Sequence, residues 1–175
     1  MQIRAAVQSD VDAMNAVYEK LFDYEEEHGT TTQWERGLYP TVDVARDAYE
    51  RGWLFVCEDE GEVIGGMIVN NSQEPIYSEV DWKFEAEGDK VFVLHTMCVA
   101  PDRSGRGIAS SMVRYAEETA VSRGGLVLRI DTWEGNRPAA SLYTKLGYRY
   151  AGRAYTTFKD VFPEYLIFFE KELTH

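Results

Sequence analysis

The chain has 175 residues, 45% of them hydrophobic and 27% charged, which is typical of one globular domain spanning residues 1–175. Thirty acidic residues against eighteen basic ones give a formal net charge of −12. Such a surface repels nucleic-acid phosphates and anionic lipid, so we expect neither nucleic acid nor a membrane as a partner.

The cellular compartment follows from the first residues and the cysteines. The first six residues lack the long apolar region of a secretory signal, and no apolar run approaches the roughly 20 residues of a membrane span. Cys57 and Cys98 both lie inside apolar runs that are typical of strands. We therefore expect a cytoplasmic protein with two buried, reduced thiols.

Apolar spacing predicts both helices and strands in the first half of the chain. Ser9 is placed to cap a helix over residues 10–24, and Gly29 to end it. A second helix is expected after Thr41, ending near Gly52. The strands expected here are residues 2–6, residues 53–59 and 62–70 around a Glu60-Gly61 turn, and residues 77–84 and 91–99 as a second pair.

The second half continues the alternation of helices and strands. A helix is expected over residues 108–122, followed by a compact apolar strand over 126–132. A short helix over 139–146 is expected to end at Gly147, and residues 148–155 and 164–169 are expected to close the chain as strands. This order predicts a mixed α/β domain with one central sheet covered by helices.

A cationic loop with two glycines leads directly into the helix at residue 108. It reads Val99-Ala100-Pro101-Asp102-Arg103-Ser104-Gly105-Arg106-Gly107-Ile108-Ala109. Backbone N–H groups at a helix N-terminus have no intrahelical partner, and the helix dipole places partial positive charge there. Gly105 and Gly107 let the main chain approach an anion, and Arg103 and Arg106 add charged donors. The pattern fits a pyrophosphate site, and it also fits a helix start with glycines for packing alone.

A second motif follows about thirty residues later and reads Asn136-Arg137-Pro138-Ala139-Ala140-Ser141-Leu142-Tyr143-Thr144-Lys145-Leu146-Gly147-Tyr148. With V-x-P-x-x-x-G-x-G-I-A in the loop and N-x-x-A-x-x-L-Y-x-K-L-G-Y here, the chain resembles the Gcn5-related N-acetyltransferase (GNAT) superfamily. The two motifs lie within residues 94–148, about a third of the chain. The resemblance implies a GNAT-like α/β fold, with a mixed, mostly antiparallel sheet of about seven strands and about four helices.

The resemblance also implies acetyl-CoA as the acyl donor, no metal, and direct attack by an amine in a ternary complex. The family pattern usually places Arg or Gln where this chain has Ser104. We expect Arg103 or the Ser104 hydroxyl to supply the missing donor. The residues implied to bind the cofactor are Met97, Cys98, Val99, Arg103, Ser104, Gly105, Arg106, Gly107, Ile108, Ala109, Asn136 and Tyr143.

Two catalytic roles are carried over from the resemblance. Tyr143 matches the family position that donates a hydrogen bond or a proton to the departing thiolate. A main-chain N–H near Met97 or Val99, where the strand splays from its neighbour, is implied to stabilise the developing oxyanion. Cys98 is expected to pack in the core, because this family forms no acyl-enzyme.

The general base stays open at this point. His95 lies on an apolar strand that borders the expected reaction centre, and an imidazole can accept a proton near neutral pH. Glu79 is the rival, and Asp131 and Glu134 are weaker candidates. A chain of water molecules is the further alternative. His95 also fits the pattern of a histidine that packs in the core.

The acceptor is expected to be a primary amine of a small cationic metabolite. Aromatic rings with Glu79 and Asp81 would form a slot that attracts an ammonium group, although the same rings also suit a core. The rings are Trp34, Tyr39, Tyr77 and Trp82. The alternatives are a protein or peptide N-acetyltransferase and a non-catalytic acyl-CoA sensor. A homodimer is also plausible, since the apolar run at residues 165–169 suits either an interface or a buried strand.

Overall fold

The computed structural model describes residues 1–158 and 162–174 of the chain, and these contain four α-helices and seven β-strands. The helices are α1 (Asp10–His28), α2 (Val42–Glu50), α3 (Ile108–Ser122) and α4 (Arg137–Lys145). The strands are β1 (Gln2–Ala5), β2 (Leu54–Asp59), β3 (Glu62–Asn70), β4 (Val91–Val99), β5 (Val127–Trp133), β6 (Arg149–Phe158) and β7 (Phe162–Glu172).

The strands form one sheet in the order β1-β2-β3-β4-β5-β7-β6. The β1–β2, β2–β3, β5–β7 and β6–β7 pairs are antiparallel, whereas β4 and β5 are parallel from Val91↔Val127 to Leu94↔Ile130. The predicted fold class, a mixed sheet of about seven strands with about four helices, is confirmed.

The chain divides into two compact units. The first unit comprises residues 1–69 and 95–116, and its core lies between the apolar sides of α1 and α2 and the strands of the unit. The second unit comprises residues 70–94 and 117–175, and one of its apolar clusters centres on Tyr77, Val93 and Phe168. Buried residues of the first core include Val11, Met14, Val17, Tyr18, Phe22, Leu54, Val56 and Cys98.

The ends of α1 correct one expectation and confirm another. Ser9 makes no side-chain cap, so its predicted capping role is wrong. Instead, the buried carboxylate of Asp10 accepts the Val7 backbone N–H at 2.8 Å and a hydrogen bond from Arg4 at 2.6 Å. The helix does end at Gly29, whose N–H donates to the Glu25 carbonyl at 2.9 Å. It runs four residues beyond the predicted end, to His28.

The hairpin between β2 and β3 forms at the predicted turn. Glu60 and Gly61 have φ of 53° and 82°, the paired left-handed conformation of a two-residue hairpin turn. Farther along β3, Gly65 allows close backbone approach, because a Cβ there would lie 2.7 Å from the Cys98 carbonyl oxygen. This glycine therefore brings the end of β4 against β3 within the first unit.

The predicted strand at residues 77–84 is wrong. The structure has a short 3₁₀ helix at Pro75–Glu79, followed by irregular chain. The reason lies in the backbone donors: the N–H groups of Lys83 and Phe84 donate to the fully buried carboxylate of Glu170, at 2.9 and 3.1 Å. Because a side chain satisfies these donors, the segment does not pair as a strand of the sheet.

The remaining elements agree with the expectations to within a few residues. The residues expected to form the closing strand lie inside β7, which pairs with β5 on one side and β6 on the other. Phe168 and Phe169 are buried there, so this part of the run belongs to the core of the second unit. No helix in the described ranges is both long and apolar enough to cross a membrane.

Candidate active site

The loop before α3 has the predicted conformation. β4 ends at Val99, a 3₁₀ turn covers Pro101–Arg103, and α3 begins at Ile108. Gly105 and Gly107 have φ of 78° and 75°, a left-handed conformation that other residues adopt at a cost. The two glycines are therefore needed for the path of the backbone into the N-terminus of α3.

The two arginines of the loop are anchored to the β2–β3 hairpin. Arg103 donates to the Glu62 carboxylate at 2.8 Å, and Arg106 lies 3.6 Å from a carboxylate oxygen of Asp59. Lys20 and Arg103 hold the pKa of Glu62 below its usual range. Both guanidinium groups thus stay beside the loop, each with an acidic partner.

Ser104 takes a local role in the same loop. Its hydroxyl donates to the Pro101 carbonyl at 2.8 Å and closes the turn. The hydroxyl therefore stabilises the loop conformation in this structure, while Arg103 next to it supplies the positive charge.

The end of β4 is irregular, as the resemblance implied. Thr96 has φ of 48°, a left-handed conformation that is a true outlier for a β-branched residue. Cys98 follows and is buried in the core of the first unit, where burial raises the pKa of its thiol to about 12. Cys98 thus packs in the core, as expected, and a thiol with such a pKa stays protonated at neutral pH.

Three of the predicted site residues lie close to this irregular strand in the first unit. His95 is half-buried on β4, directly before Thr96. The Tyr39 hydroxyl shares a hydrogen bond with the Thr96 hydroxyl. Trp34 packs edge-on against Tyr39, with ring centroids 5.9 Å apart.

Tyr143 lies on α4, in the second unit. Asn136 caps this helix, since its side-chain oxygen accepts the Ala139 N–H at 3.2 Å. The Tyr143 ring is buried and packs against Phe169 and Tyr148, with centroids 5.6 and 6.0 Å away. Burial, followed by the negative charge of Asp131, raises the pKa of the phenol well above its usual value. The hydroxyl therefore keeps its proton and is suited to donate a hydrogen bond.

The other predicted aromatic pair belongs to the core of the second unit. Tyr77 and Trp82 stack with centroids 5.4 Å apart, and the Tyr77 hydroxyl donates to Asp131 at 2.5 Å. The guanidinium of Arg129 lies 4.0 Å above the Trp82 ring, so a cation of the chain itself covers one face of the indole. Glu79 is exposed at the end of its 3₁₀ helix. The four aromatic residues thus form two separate pairs, one in each unit.

Glu164 is an ionisable residue near this cluster that its sequence context does not single out. Burial, together with the negative charge of Asp131, raises the pKa of the half-buried Glu164 to about 7. The register places both carboxylates on one face of the sheet, because Asp131 is paired with Phe168, and Glu164 lies four residues away on the same side of β7. The amino-acid sequence shows that Glu164, Leu166 and Phe168 alternate along one strand. It does not show which residues of β5 they are paired with.

Comparison with known proteins identifies the family of the chain. The model of the acetyltransferase (GNAT) family matches residues 14–148. An uncharacterised N-acetyltransferase of Methanocaldococcus jannaschii is 28% identical over 149 residues, covering 83% of this chain and 59% of that protein. A streptothricin acetyltransferase of Escherichia coli is 33% identical over 98 residues, 56% of this chain and 48% of that protein. The chain thus matches only about half to three-fifths of the length of these two relatives.

Solved structures share the fold at low sequence identity. A GNAT-family acetyltransferase of Streptococcus agalactiae superposes with a TM-score of 0.82 at 21% identity, covering 99% of this chain and 96% of that one. A putative acetyltransferase of Salmonella typhimurium, solved with its cofactor acetyl-CoA, gives 0.70 at 18% identity, covering 100% and 95%. The loop and helix geometry, the family match and the shared fold lead to one conclusion: this chain belongs to the GNAT family of acetyltransferases.

Proposed function

We propose that this chain transfers the acetyl group of acetyl-CoA to a primary amine of a small cationic metabolite, and that residues 1–175 act as one N-acetyltransferase domain. The observation that carries this proposal is the end of β4, where an irregular strand leads through a two-glycine loop to the N-terminus of α3. Members of the family use acetyl-CoA, which presents a pyrophosphate and a thioester to such a segment.

The loop binds the pyrophosphate in this proposal. Backbone N–H groups at the start of α3 and the helix dipole favour the anion, and Gly105 and Gly107 leave space for it. Arg103 and Arg106 add charge-assisted donors after partly exchanging their carboxylate partners Glu62 and Asp59 for phosphate oxygens. The local positive charge is needed because the net charge of −12 opposes an anionic ligand.

The end of β4 positions and polarises the thioester. Thr96 departs from the extended conformation. In this proposal the departure turns the N–H groups of Met97 to Val99 toward the cofactor. One of these N–H groups stabilises the oxygen that becomes negatively charged when the amine attacks. Since the backbone performs this step, the side chains of this segment are free to pack.

Tyr143 and Asn136 complete the cofactor contacts. The protonated phenol of Tyr143 donates a hydrogen bond to the departing thiolate, and its raised pKa favours this donation over complete proton transfer. Asn136 bonds the cofactor arm, directly or through water, while it caps α4.

For removal of the proton from the acceptor ammonium we propose His95, which is half-buried beside the irregular residue of β4. An imidazole can perform this step directly or through water. Glu79 and a water chain remain the alternatives for this role. The exposed position of Glu79 supports it less well.

A small cationic acceptor is favoured by two observations. The net charge of −12 attracts cations over long range. The relative from Escherichia coli with 33% identity is named as an acetyltransferase of streptothricin. A protein or peptide amine is the competing acceptor, and the experiment below separates the two.

The test measures CoA release from acetyl-CoA with a panel of polyamines, amino acids, amine antibiotics and short peptides. We expect release to depend on the acceptor and to be fastest with a small polycationic amine. Initial rates should give intersecting lines, as required for a ternary complex. Faster release with peptides would assign the alternative acceptor, and tight CoA binding without any release would favour a sensor.

A further inference from the structure

The left-handed residue in β4 requires support from its surroundings. A β-branched residue at φ 48° costs free energy, and such a conformation persists only where neighbouring groups hold it. Thr96 is also 8% exposed, so its hydroxyl needs a partner within the protein. Met97 follows it directly, at the start of the segment that polarises the thioester in the proposed function.

Tyr39 provides that support from the loop between α1 and α2. Its hydroxyl and the Thr96 hydroxyl share a hydrogen bond. Its own backbone is fixed by two hydrogen bonds with Glu35, at 2.9 and 3.1 Å, and its ring packs edge-on against Trp34. Both the backbone and the ring of Tyr39 are therefore fixed, which holds its hydroxyl in place beside Thr96.

We propose that Tyr39 is a positioning residue, which holds the left-handed turn at Thr96 so that the following backbone N–H points at the thioester oxygen. This inference rests on the proposed function, and it gives Tyr39 a different role from the amine contact expected from its aromatic ring. The hydroxyl acts on the strand that polarises the donor, so its loss should affect the chemical step more than the binding of acetyl-CoA.

Tyr18 offers a matched control in the same unit. It is also a buried tyrosine, and it lies in the same apolar core as Cys98. Its hydroxyl has no hydrogen-bond partner within the described residues. Removing this hydroxyl deletes the same atom from the same region without breaking a hydrogen bond.

The experiment compares Tyr39→Phe, Thr96→Val, the double variant and Tyr18→Phe. Loss of one hydrogen bond predicts a kcat about fivefold lower for Tyr39→Phe and for Thr96→Val, with the KM for acetyl-CoA within about twofold of wild type. The double variant should match the single ones, because both remove the same interaction. Thr96→Ser should recover most of the loss seen in Thr96→Val, and Tyr18→Phe should keep the wild-type kcat.

A second readout does not depend on turnover. In the absence of substrates, the amide resonances of Met97 and Cys98 should shift in Tyr39→Phe and in Thr96→Val and stay in place in Tyr18→Phe. Unchanged resonances in Tyr39→Phe, or losses of kcat that add in the double variant, would overturn the role of Tyr39. Absence of transfer by wild-type protein with any amine would instead contradict the proposed function, and the amide resonances would still decide whether Tyr39 holds the strand.

Discussion

At the scale of single residues, the most informative group outside the two motifs is the carboxyl of Glu164. Its pKa is raised from 4.5 to about 7, first by burial and then by the charge of Asp131. The folded protein therefore binds this proton more tightly than the unfolded chain does. The resulting stabilisation is complete below the unfolded pKa and is lost as the pH rises from about 4.5 through about 7.

Replacing Glu164 with Gln should remove this part of the pH dependence. We expect the free energy of unfolding of the wild type to fall between pH 5 and pH 8 more steeply than that of Glu164→Gln, measured by urea denaturation. Glu134→Gln is the control, because Glu134 is paired with Arg153 and its pKa is lowered. Parallel curves for the wild type and Glu164→Gln would mean that Glu164 titrates alike in the folded and unfolded states.

Some residues of the candidate site were predictable because their roles depend only on residues nearby in the sequence. Gly105 and Gly107 are recognisable beside a helix start, and Asn136 is recognisable as a cap, since each depends on neighbours in sequence. Tyr39 and Thr96 lie 57 positions apart, so only the fold brings their hydroxyls together. The same holds for Glu164 and Asp131, whose interaction depends on the register between β5 and β7.

At the scale of elements, the segment after β3 shows what sequence periodicity cannot decide. Val80, Trp82 and Phe84 alternate as in a strand, and Val80 and Trp82 pack against the apolar cluster that contains Tyr77. The predicted strand does not form, although part of the segment is buried. Whether a backbone N–H donates to a neighbouring strand or to a carboxylate such as Glu170 is not encoded in that alternation.

Glu170 should therefore hold this segment in place. Its fully buried carboxylate accepts the N–H groups of Lys83 and Phe84 and a hydrogen bond from Arg149 at 2.5 Å. Glu170→Ala leaves these donors without an acceptor, so we expect a loss of about 3–5 kcal/mol in the free energy of unfolding. Near-ultraviolet circular dichroism should report the accompanying release of Trp82.

The matched variant for this test is Glu170→Gln, which keeps the shape and one acceptor oxygen. We expect it to lose less stability than Glu170→Ala and to keep most of the near-ultraviolet signal. Equal stability of Glu170→Ala and wild type would show that the segment is held by its ring contacts alone.

At the scale of the whole molecule, two short motifs were sufficient to indicate the family, and the family match covers residues 14–148. The seven-stranded sheet followed from that resemblance, whereas apolar spacing alone indicated only a mixed α/β domain. The identity of the acceptor does not follow in this way, because the proposed function assigns the loop and Tyr143 to the donor, acetyl-CoA. The net charge of −12 is the one global property that bears on the acceptor, and it favours a cation.

The most direct test of the proposed chemistry compares acetyl transfer by the wild type, Tyr143→Phe and Tyr148→Phe. Tyr148 is a suitable control because it is also buried and contacts the Tyr143 ring. With the best amine of the panel, we predict a kcat at least about tenfold lower for Tyr143→Phe, since the thiolate loses its donor. CoA affinity, measured by calorimetry, should stay within about twofold of wild type, and Tyr148→Phe should transfer acetyl at nearly the wild-type rate. An unchanged kcat in Tyr143→Phe would contradict the account.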